Sequence, residues 1–113
     1  MTYIKNFAGQ IVYKIDGDRI MNFPGQTLYR LDGTYVREFT GAIVYKISSD
    51  IVRRFEGSIV YMADGDYIKE FTGVIRYKID GSYIKDFYGR ILLKIDGPIS
   101  REMTLAIIAI MDK

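Results

Sequence analysis

Hydrophobic and polar positions follow a short, regular rhythm along most of the chain, and pairs of turn-forming residues interrupt it. Residues Gln10–Ile15 are rich in β-branched and aromatic side chains, and Asp16-Gly17 follows them. A second run, Asp18–Phe23, then ends at Pro24-Gly25. Runs of this length and composition between turn signals are typical of β-strands joined as hairpins. The pattern therefore predicts a hairpin as the structural unit.

The hairpin unit repeats with a period of about 16 residues, the signature of a repeat architecture. Phenylalanine marks one slot of the repeat, at Phe7, Phe23, Phe39, Phe55, Phe71 and Phe87. An Asp-Gly pair marks the opposite turn, at residues 16–17, 32–33, 64–65, 80–81 and 96–97, and only Ser48-Ser49 breaks this series. With Thr2–Phe7 as the first strand and Arg90–Ile95 as the last, residues 1–97 predict an all-β antiparallel meander. It has about six repeats and about twelve strands of about six residues each.

The register follows if both turns contain two residues, with Asp16-Gly17 as a type I′ turn. Ile15 then faces Asp18, Tyr13 faces Ile20, and Phe23 faces Gln26 across the next turn. One face of the sheet carries an almost wholly apolar central row, which we expect to form the core. That row consists of Tyr13, Ile20, Tyr29, Val36, Tyr45, Val52, Tyr61, Ile68, Tyr77, Ile84 and Leu93.

The other face collects the basic residues on the same register. It has a row of Lys14, Arg30, Lys46, Lys78 and Lys94, and a second row of Lys5, Arg37, Arg53, Lys69, Lys85 and Arg101, with Arg19, Arg76 and Arg90 added. The predicted register places no acidic residue there. The formal net charge is only +2, from 16 basic and 14 acidic residues, so the sheet is expected to be strongly polarised although the chain is nearly neutral.

Residues 98–113 leave the repeat and predict a short apolar helix packed on or in the repeat domain. Ser100 is placed to cap it, Glu102 lies in its first turn, and residues 104–111 are almost all apolar. A thirteenth strand is the alternative, since short apolar runs fit either structure. A helix that is apolar on every side is expected to be buried, either as a plug in a ring of hairpins or in self-association.

The arrangement of the hairpins is left open between a closed barrel and a radial array. Two-residue turns add no stagger, whereas closing a barrel requires it; glycine bulges are one source. The phenylalanine row would form an exposed apolar strip, so closure, a helix or a partner is expected to cover it.

The composition excludes most catalytic chemistry. The chain has 113 residues, enough for one domain, and contains neither His nor Cys, so the commonest general base and the thiolate nucleophile are both missing. Asp16-Gly17-Asp18 is interpreted as a turn and not as a calcium loop. We expect no enzyme, no cofactor and no metal.

The chain shows no signal-peptide pattern and no apolar run of the roughly 18 residues that a membrane-spanning helix needs, so a cytoplasmic location is expected.

The repeat Gly73–Phe87, with the sequence GVIRYKIDGSYIKDF, resembles those of the small bacterial β-flower proteins. In that family short hairpins are arranged radially about an axis. The resemblance covers residues 1–97 and does not extend to the terminal segment. It implies a fold and no known activity.

The leading functional hypothesis is a non-enzymatic structural or interaction module that forms homo-oligomers. Its self-association or core row comprises Phe7, Phe23, Phe39, Phe55, Phe71, Phe87, Ile107 and Ile110. One alternative is the binding of a polyanion, such as single-stranded nucleic acid, by alternating cations and rings. That set comprises Lys14, Arg30, Tyr35, Lys46, Tyr67, Lys78, Tyr83 and Lys94. A further alternative is multivalent carbohydrate binding through repeated Tyr and Asp residues.

Overall fold

A computed structural model of the chain describes residues 1–111 and shows twelve antiparallel strands and one helix. Asp112 and Lys113, the end of the predicted terminal segment, lie outside the described residues. The elements are β1 Thr2–Asn6, β2 Ile11–Asp16, β3 Arg19–Met21, β4 Thr27–Asp32, β5 Tyr35–Glu38, β6 Ile43–Ser48, β7 Ile51–Arg54, β8 Ile59–Asp64, β9 Tyr67–Lys69, β10 Ile75–Asp80, β11 Tyr83–Asp86, β12 Ile91–Asp96 and α1 Arg101–Met111.

Each strand pairs with its neighbours in sequence, and β1 pairs with β12, so the meander closes into a barrel. The predicted all-β fold of twelve short strands with a C-terminal helix is confirmed. Of the two arrangements left open by the sequence, the structure shows the closed one. The whole molecule measures 37 × 33 × 20 Å.

In the hairpin turns at the Asp-Gly sites, the two central residues lie one position later in the chain than predicted. Asp16 pairs with Arg19 and Ile15 with Ile20, so Gly17 and Asp18 are the two central residues. Gly17 has a φ of +63°, and glycine at the first central position is the mark of a type II′ turn. The predicted pairing of Ile15 with Asp18 is therefore wrong. Because the pairing moves by two residues, the strand residues next to this turn stay on their predicted faces.

The turns at the phenylalanine sites contain three residues and not two. In the first, the N–H of Asn6 donates to the carbonyl of Gln10 at 2.9 Å, and the N–H of Gly9 donates to the carbonyl of Asn6 at 2.9 Å. Gly9 has a φ of +88°, as expected where a three-residue hairpin loop ends in a left-handed residue. These loops shorten the strands that lead into them, so β3 has only three residues.

A β-bulge follows each phenylalanine loop and supplies the stagger that closure requires. Ile20 pairs with Tyr29 and Met21 with Thr27, so Leu28 has no partner on β3. The same shift occurs once in every repeat and skips Val12, Leu28, Val44, Val60, Arg76 and Leu92. A bulge bends and twists its strand, and a closed barrel needs staggered, tilted strands. The repeated bulge therefore explains why the meander closes.

The core lies inside the barrel, where the inner faces of the strands surround α1. Eight consecutive helical residues, from Met103 to Ile110, are buried, and all of them except Thr104 belong to one apolar cluster with the strand residues. The helix begins as predicted: Ser100 Oγ accepts a hydrogen bond from the N–H of Met103 at 3.1 Å. The terminal segment is thus a helix and not a thirteenth strand. The buried strand residues of this cluster are Ile4, Ile15, Ile20, Val36, Tyr45, Ile47, Val52, Tyr61, Ile68, Tyr77, Ile84, Leu93 and Ile95.

Candidate functional site

The outer wall of the barrel carries basic side chains directly opposite one another. Arg30 pairs with Arg37, Lys46 with Arg53, Lys78 with Lys85, and Lys94 with Lys5. Like charges at directly opposed positions of a sheet repel and destabilise the pairing. An acidic group beside such a pair, from the chain itself or from a ligand, would offset this repulsion.

The chain supplies part of that charge, contrary to the prediction of an acid-free face. The turn centres lie one residue later than predicted, so the aspartate before each glycine ends a strand on this same wall. Four of these aspartates bind cations of one basic row, and Asp16 binds Arg19. The ion pairs are Lys5–Asp96 at 3.0 Å, Arg19–Asp16 at 3.3 Å, Arg37–Asp32 at 3.0 Å, Lys69–Asp64 at 3.0 Å and Lys85–Asp80 at 2.7 Å.

In two places a single aspartate interacts with both cations of a directly opposed basic pair. The hydrogen bond from Lys85 lowers the pKa of Asp80, and the positive charges of Lys85 and Lys78 lower it further. The pKa of Asp96 is lowered in the same way by the hydrogen bond and charge of Lys5 and by the charge of Lys94. In each of these places the negative charge of one aspartate interacts favourably with two cations.

The other basic row has no ion pair with any residue from 1 to 111. It consists of Lys14, Arg30, Lys46, Lys78 and Lys94, all predicted to bind a polyanion. Four of these cations lie opposite a tyrosine, in the pairs Tyr3–Lys14, Tyr35–Lys46, Tyr67–Lys78 and Tyr83–Lys94. The eight predicted residues therefore share one wall.

Several of these cations lie close to aromatic rings. The Nζ atom of Lys78 is 5.7 Å from the centroid of Tyr67, and that of Lys46 is 6.0 Å from the centroid of Tyr35. Lys14 approaches Phe23 to 5.0 Å. At these distances the cations interact with the rings. Tyr35 and Tyr67 are 36% and 42% exposed, so their rings remain accessible to a ligand.

One groove on the wall combines these features in a volume of about 820 Å³. Lys5, Lys94 and Arg90 contribute positive charge, and Tyr83 and Phe7 contribute rings. The groove lies where the first phenylalanine loop meets β12, beside the pairing of β1 with β12 that closes the barrel.

Three basic residues assigned to this face from the sequence lie elsewhere or have other roles. Arg101 begins α1 and donates to Asp50 Oδ1 and to the carbonyl of Gly65, both at 2.8 Å. Arg76 occupies a bulge and binds Glu70 Oε1 at 2.6 Å. Arg90 follows a phenylalanine loop and binds Asp86 Oδ2 at 2.8 Å. The assignment of Arg101 to the sheet is wrong because the chain has already entered the helix.

The phenylalanine loops all lie at one end of the barrel, because every odd-numbered strand runs towards that end. Their six rings, here called the Phe rim, are between 60% and 83% exposed. Ile107 and Ile110 of α1 are buried in the core and do not cover them. The Phe rim comprises Phe7, Phe23, Phe39, Phe55, Phe71 and Phe87.

Tyrosines of the inner face surround the last turn of the helix. The hydroxyl of Tyr45 donates to the carbonyl of Ala109 at 3.4 Å, and the rings of Tyr61 and Tyr77 meet edge to face at 6.0 Å. Burial raises the pKa of Tyr13, and the nearby Tyr29 raises it further. The sequence places these tyrosines in the core row, but their proximity to the helix end follows only from closure.

Within residues 1–111 no group of three acidic side chains is placed to hold a metal ion. No helix in that part of the chain is long and apolar enough to cross a membrane. Comparison with known protein families, curated proteins and solved structures found no match.

Proposed function

We propose that the protein is a non-enzymatic structural module that self-associates through the Phe rim. The observation that carries this proposal is the exposure of all six rings, from 60% to 83%, around one end of the barrel. A concentration of exposed apolar side chains at one end of a protein often marks an interaction site. A partner that covers the rim would remove this surface from water.

The area of the rim supports a second copy of the chain as that partner. A phenylalanine side chain buries on the order of 150–250 Å². Six rings at the observed exposure therefore present about 800 Å², which equals one side of a stable interface of standard size. A ring of equivalent loops also offers the same surface to each partner, as a two-fold interface requires.

Sedimentation equilibrium over a range of protein concentrations tests this proposal. We expect the wild-type protein to form oligomers, and the triple variant Phe7→Ser, Phe39→Ser, Phe71→Ser to sediment as a monomer. The matched control, Tyr35→Ser with Tyr67→Ser, removes exposed rings from the wall and should leave the mass unchanged. A monomeric wild-type protein, or a triple variant with wild-type mass, would refute self-association through the rim.

The binding of single-stranded nucleic acid by the outer wall is a second candidate function. It is supported by the basic row without ion pairs and by the tyrosines opposite four of its members. Backbone phosphates and stacked bases are the groups that such a surface recognises. A labelled oligothymidylate should bind at low ionic strength, with affinity that falls as salt is added. Absence of binding at about 50 mM salt would refute this function.

The architecture also fits the resemblance to the β-flower proteins. We propose that the chain is a six-repeat relative of them in which the array of hairpins has closed. The support is the regular 16-residue hairpin repeat of residues 1–97 together with the single sheet that contains all twelve strands.

A further inference from the structure

The repeat is broken at one place on the outer wall, where Ser48 ends strand β6. At the equivalent strand ends the same position holds Asp16, Asp32, Asp64, Asp80 or Asp96, and each of them forms an ion pair with a basic residue of the wall. Ser48 carries no charge. The basic residues around it therefore lack the negative charge that an aspartate supplies at the equivalent position of the other repeats.

The charge concerned belongs to Lys46 and Arg53, which lie directly opposite each other on β6 and β7. Neither forms an ion pair with any of residues 1–111. The nearest aspartate in sequence, Asp50, binds Arg101 of the helix at 2.8 Å instead. The loss of one carboxylate thus leaves two cations facing each other.

Two equivalent places show what the missing carboxylate does. Asp80 of β10 accepts a hydrogen bond from Lys85 on the opposite strand, β11, and its charge also interacts with Lys78 on its own strand. Asp96 has the same relationship with Lys5 and Lys94. In both places one negative charge offsets the repulsion between two cations. The pair Lys46–Arg53 has the same geometry without that charge.

The arginine of this pair is already held in place. Nη1 of Arg53 donates to the carbonyl of Gly57 at 3.0 Å in the following phenylalanine loop. Arg37 makes the same contact with Gly41 at 2.9 Å, but its Nε also binds Asp32. The remaining N–H groups of Arg53 are available to an anion, and a guanidinium group matches phosphate oxygens well.

An aromatic ring stands beside the two cations. Tyr35 lies directly opposite Lys46, and its ring is also 5.7 Å from the guanidinium of Arg37. It is partly exposed. A ring next to a phosphate-binding pair is the arrangement by which proteins hold single strands, with the base stacked and the backbone bound.

We propose that Tyr35, Lys46 and Arg53, here called the Ser48 site, form the strongest binding site for single-stranded nucleic acid on the wall. Lys46 and Arg53 bind a backbone phosphate, and Tyr35 stacks on the neighbouring base. The inference rests on the second proposed function and locates its main site at the break in the repeat.

Exchange of serine and aspartate between equivalent positions tests the site. Ser48→Asp restores the carboxylate that other repeats carry, so the fold has precedent for it. Asp80→Ser removes the carboxylate beside Tyr67, Lys78 and Lys85, and thereby copies the Ser48 site. The matched control is Asp64→Ser, which makes the same change of charge where the residue opposite Lys69 is the uncharged Met62.

Binding of a fluorescein-labelled oligothymidylate of about 12 nucleotides is measured by anisotropy at about 50 and 200 mM salt. We expect Ser48→Asp to weaken binding about tenfold at the lower salt. The slope of log affinity against log salt should become shallower by about 0.7 for each phosphate that the variant no longer binds. Asp80→Ser should strengthen binding severalfold, and Asp64→Ser should change it less than twofold.

Other outcomes separate the two levels of the proposal. If wild-type protein binds but Ser48→Asp has wild-type affinity, the Ser48 site is refuted and the second function stands. If Asp64→Ser strengthens binding as much as Asp80→Ser, only net charge matters, and the site is again refuted. If no variant binds at low salt, the second function itself fails. Should Ser48→Asp not fold, the comparison of Asp80→Ser with Asp64→Ser decides alone.

Discussion

Gly97 lies so close to Thr2 that a Cβ atom on Gly97 would be 2.8 Å from Thr2 Oγ1 and 3.1 Å from Thr2 Cα. The hydroxyl of Thr2 also donates a hydrogen bond to the carbonyl of Pro98. These contacts lie where β1 meets β12 and the barrel closes. The two ends of the repeat domain are therefore held together by a backbone approach that only glycine permits.

Gly97→Ala should destabilise the barrel more than the same change at another glycine of positive φ. Gly97 has a φ of +126°, and Gly57, with a φ of +107°, has open space where its Cβ would lie. Backbone strain should cost about 1–2 kcal/mol at either position, and the clash at Gly97 should add about 1–3 kcal/mol. Urea unfolding of both variants measures the difference, and equal losses would contradict a close approach at the seam.

Truncation of the helix in the lumen should cost more than truncation on the wall. Ile107 is completely buried among strand residues from around the barrel, so Ile107→Ala should lower the free energy of unfolding by about 2–5 kcal/mol. Ile91 is 40% exposed, and Ile91→Ala should cost clearly less. Chemical denaturation gives both values, and a cost at Ile107 no greater than at Ile91 would mean that the helix does not support the barrel.

The helix start should depend on Ser100. Its Oγ caps the N–H of Met103, and loss of such a cap costs about 1 kcal/mol. Ser100→Ala should therefore lower the free energy of unfolding by about that amount, while Ser100→Asp, which retains a capping oxygen, should keep most of the wild-type stability. Thermal and urea unfolding measure the changes, and equal losses in both variants would argue against capping.

Stability at alkaline pH should depend on Tyr13. The pKa of Tyr13 is raised in the folded protein by burial and by Tyr29, so the folded state holds this proton more tightly than the unfolded state does. Its contribution to stability is complete below the unfolded pKa near 10 and is lost as pH rises through the folded pKa. Tyr13→Phe should remove this part of the decline. Urea unfolding between about pH 9 and pH 11 tests it, and an unchanged pH dependence in the variant would contradict the prediction.

The repeat, the strands, the core face and the helix could be predicted because each follows from local residue preferences. The turns were harder, since an Asp-Gly pair suits the centre of one turn type and the entry to another. That single residue decides whether Asp80 points into a turn or lies on the wall beside Lys85. The two rows of the basic wall are therefore predicted correctly except for Arg101, but the carboxylates on the wall are not.

The special role of Ser48 could not be predicted from the sequence for the same reason. Its exception to the Asp-Gly series is visible in the sequence, yet its meaning depends on knowing that the aspartates bind the opposing basic row. Closure was likewise undetermined, because the bulge at Leu28 depends on a three-residue loop that the sequence pattern did not distinguish from a two-residue one.

The bulge that recurs in every repeat ties the number of repeats to the terminal helix. Each repeat adds two strands and one bulge, so the circumference and the stagger of the barrel grow together, and the lumen widens with strand number. Six repeats enclose a space that one helix fills. Gain of a repeat would leave α1 loose, and loss of one would leave it no room. A change in the number of hairpins during evolution must therefore be matched by a change in the volume of the C-terminal segment. The size of the helix thus limits the number of repeats that the barrel can contain.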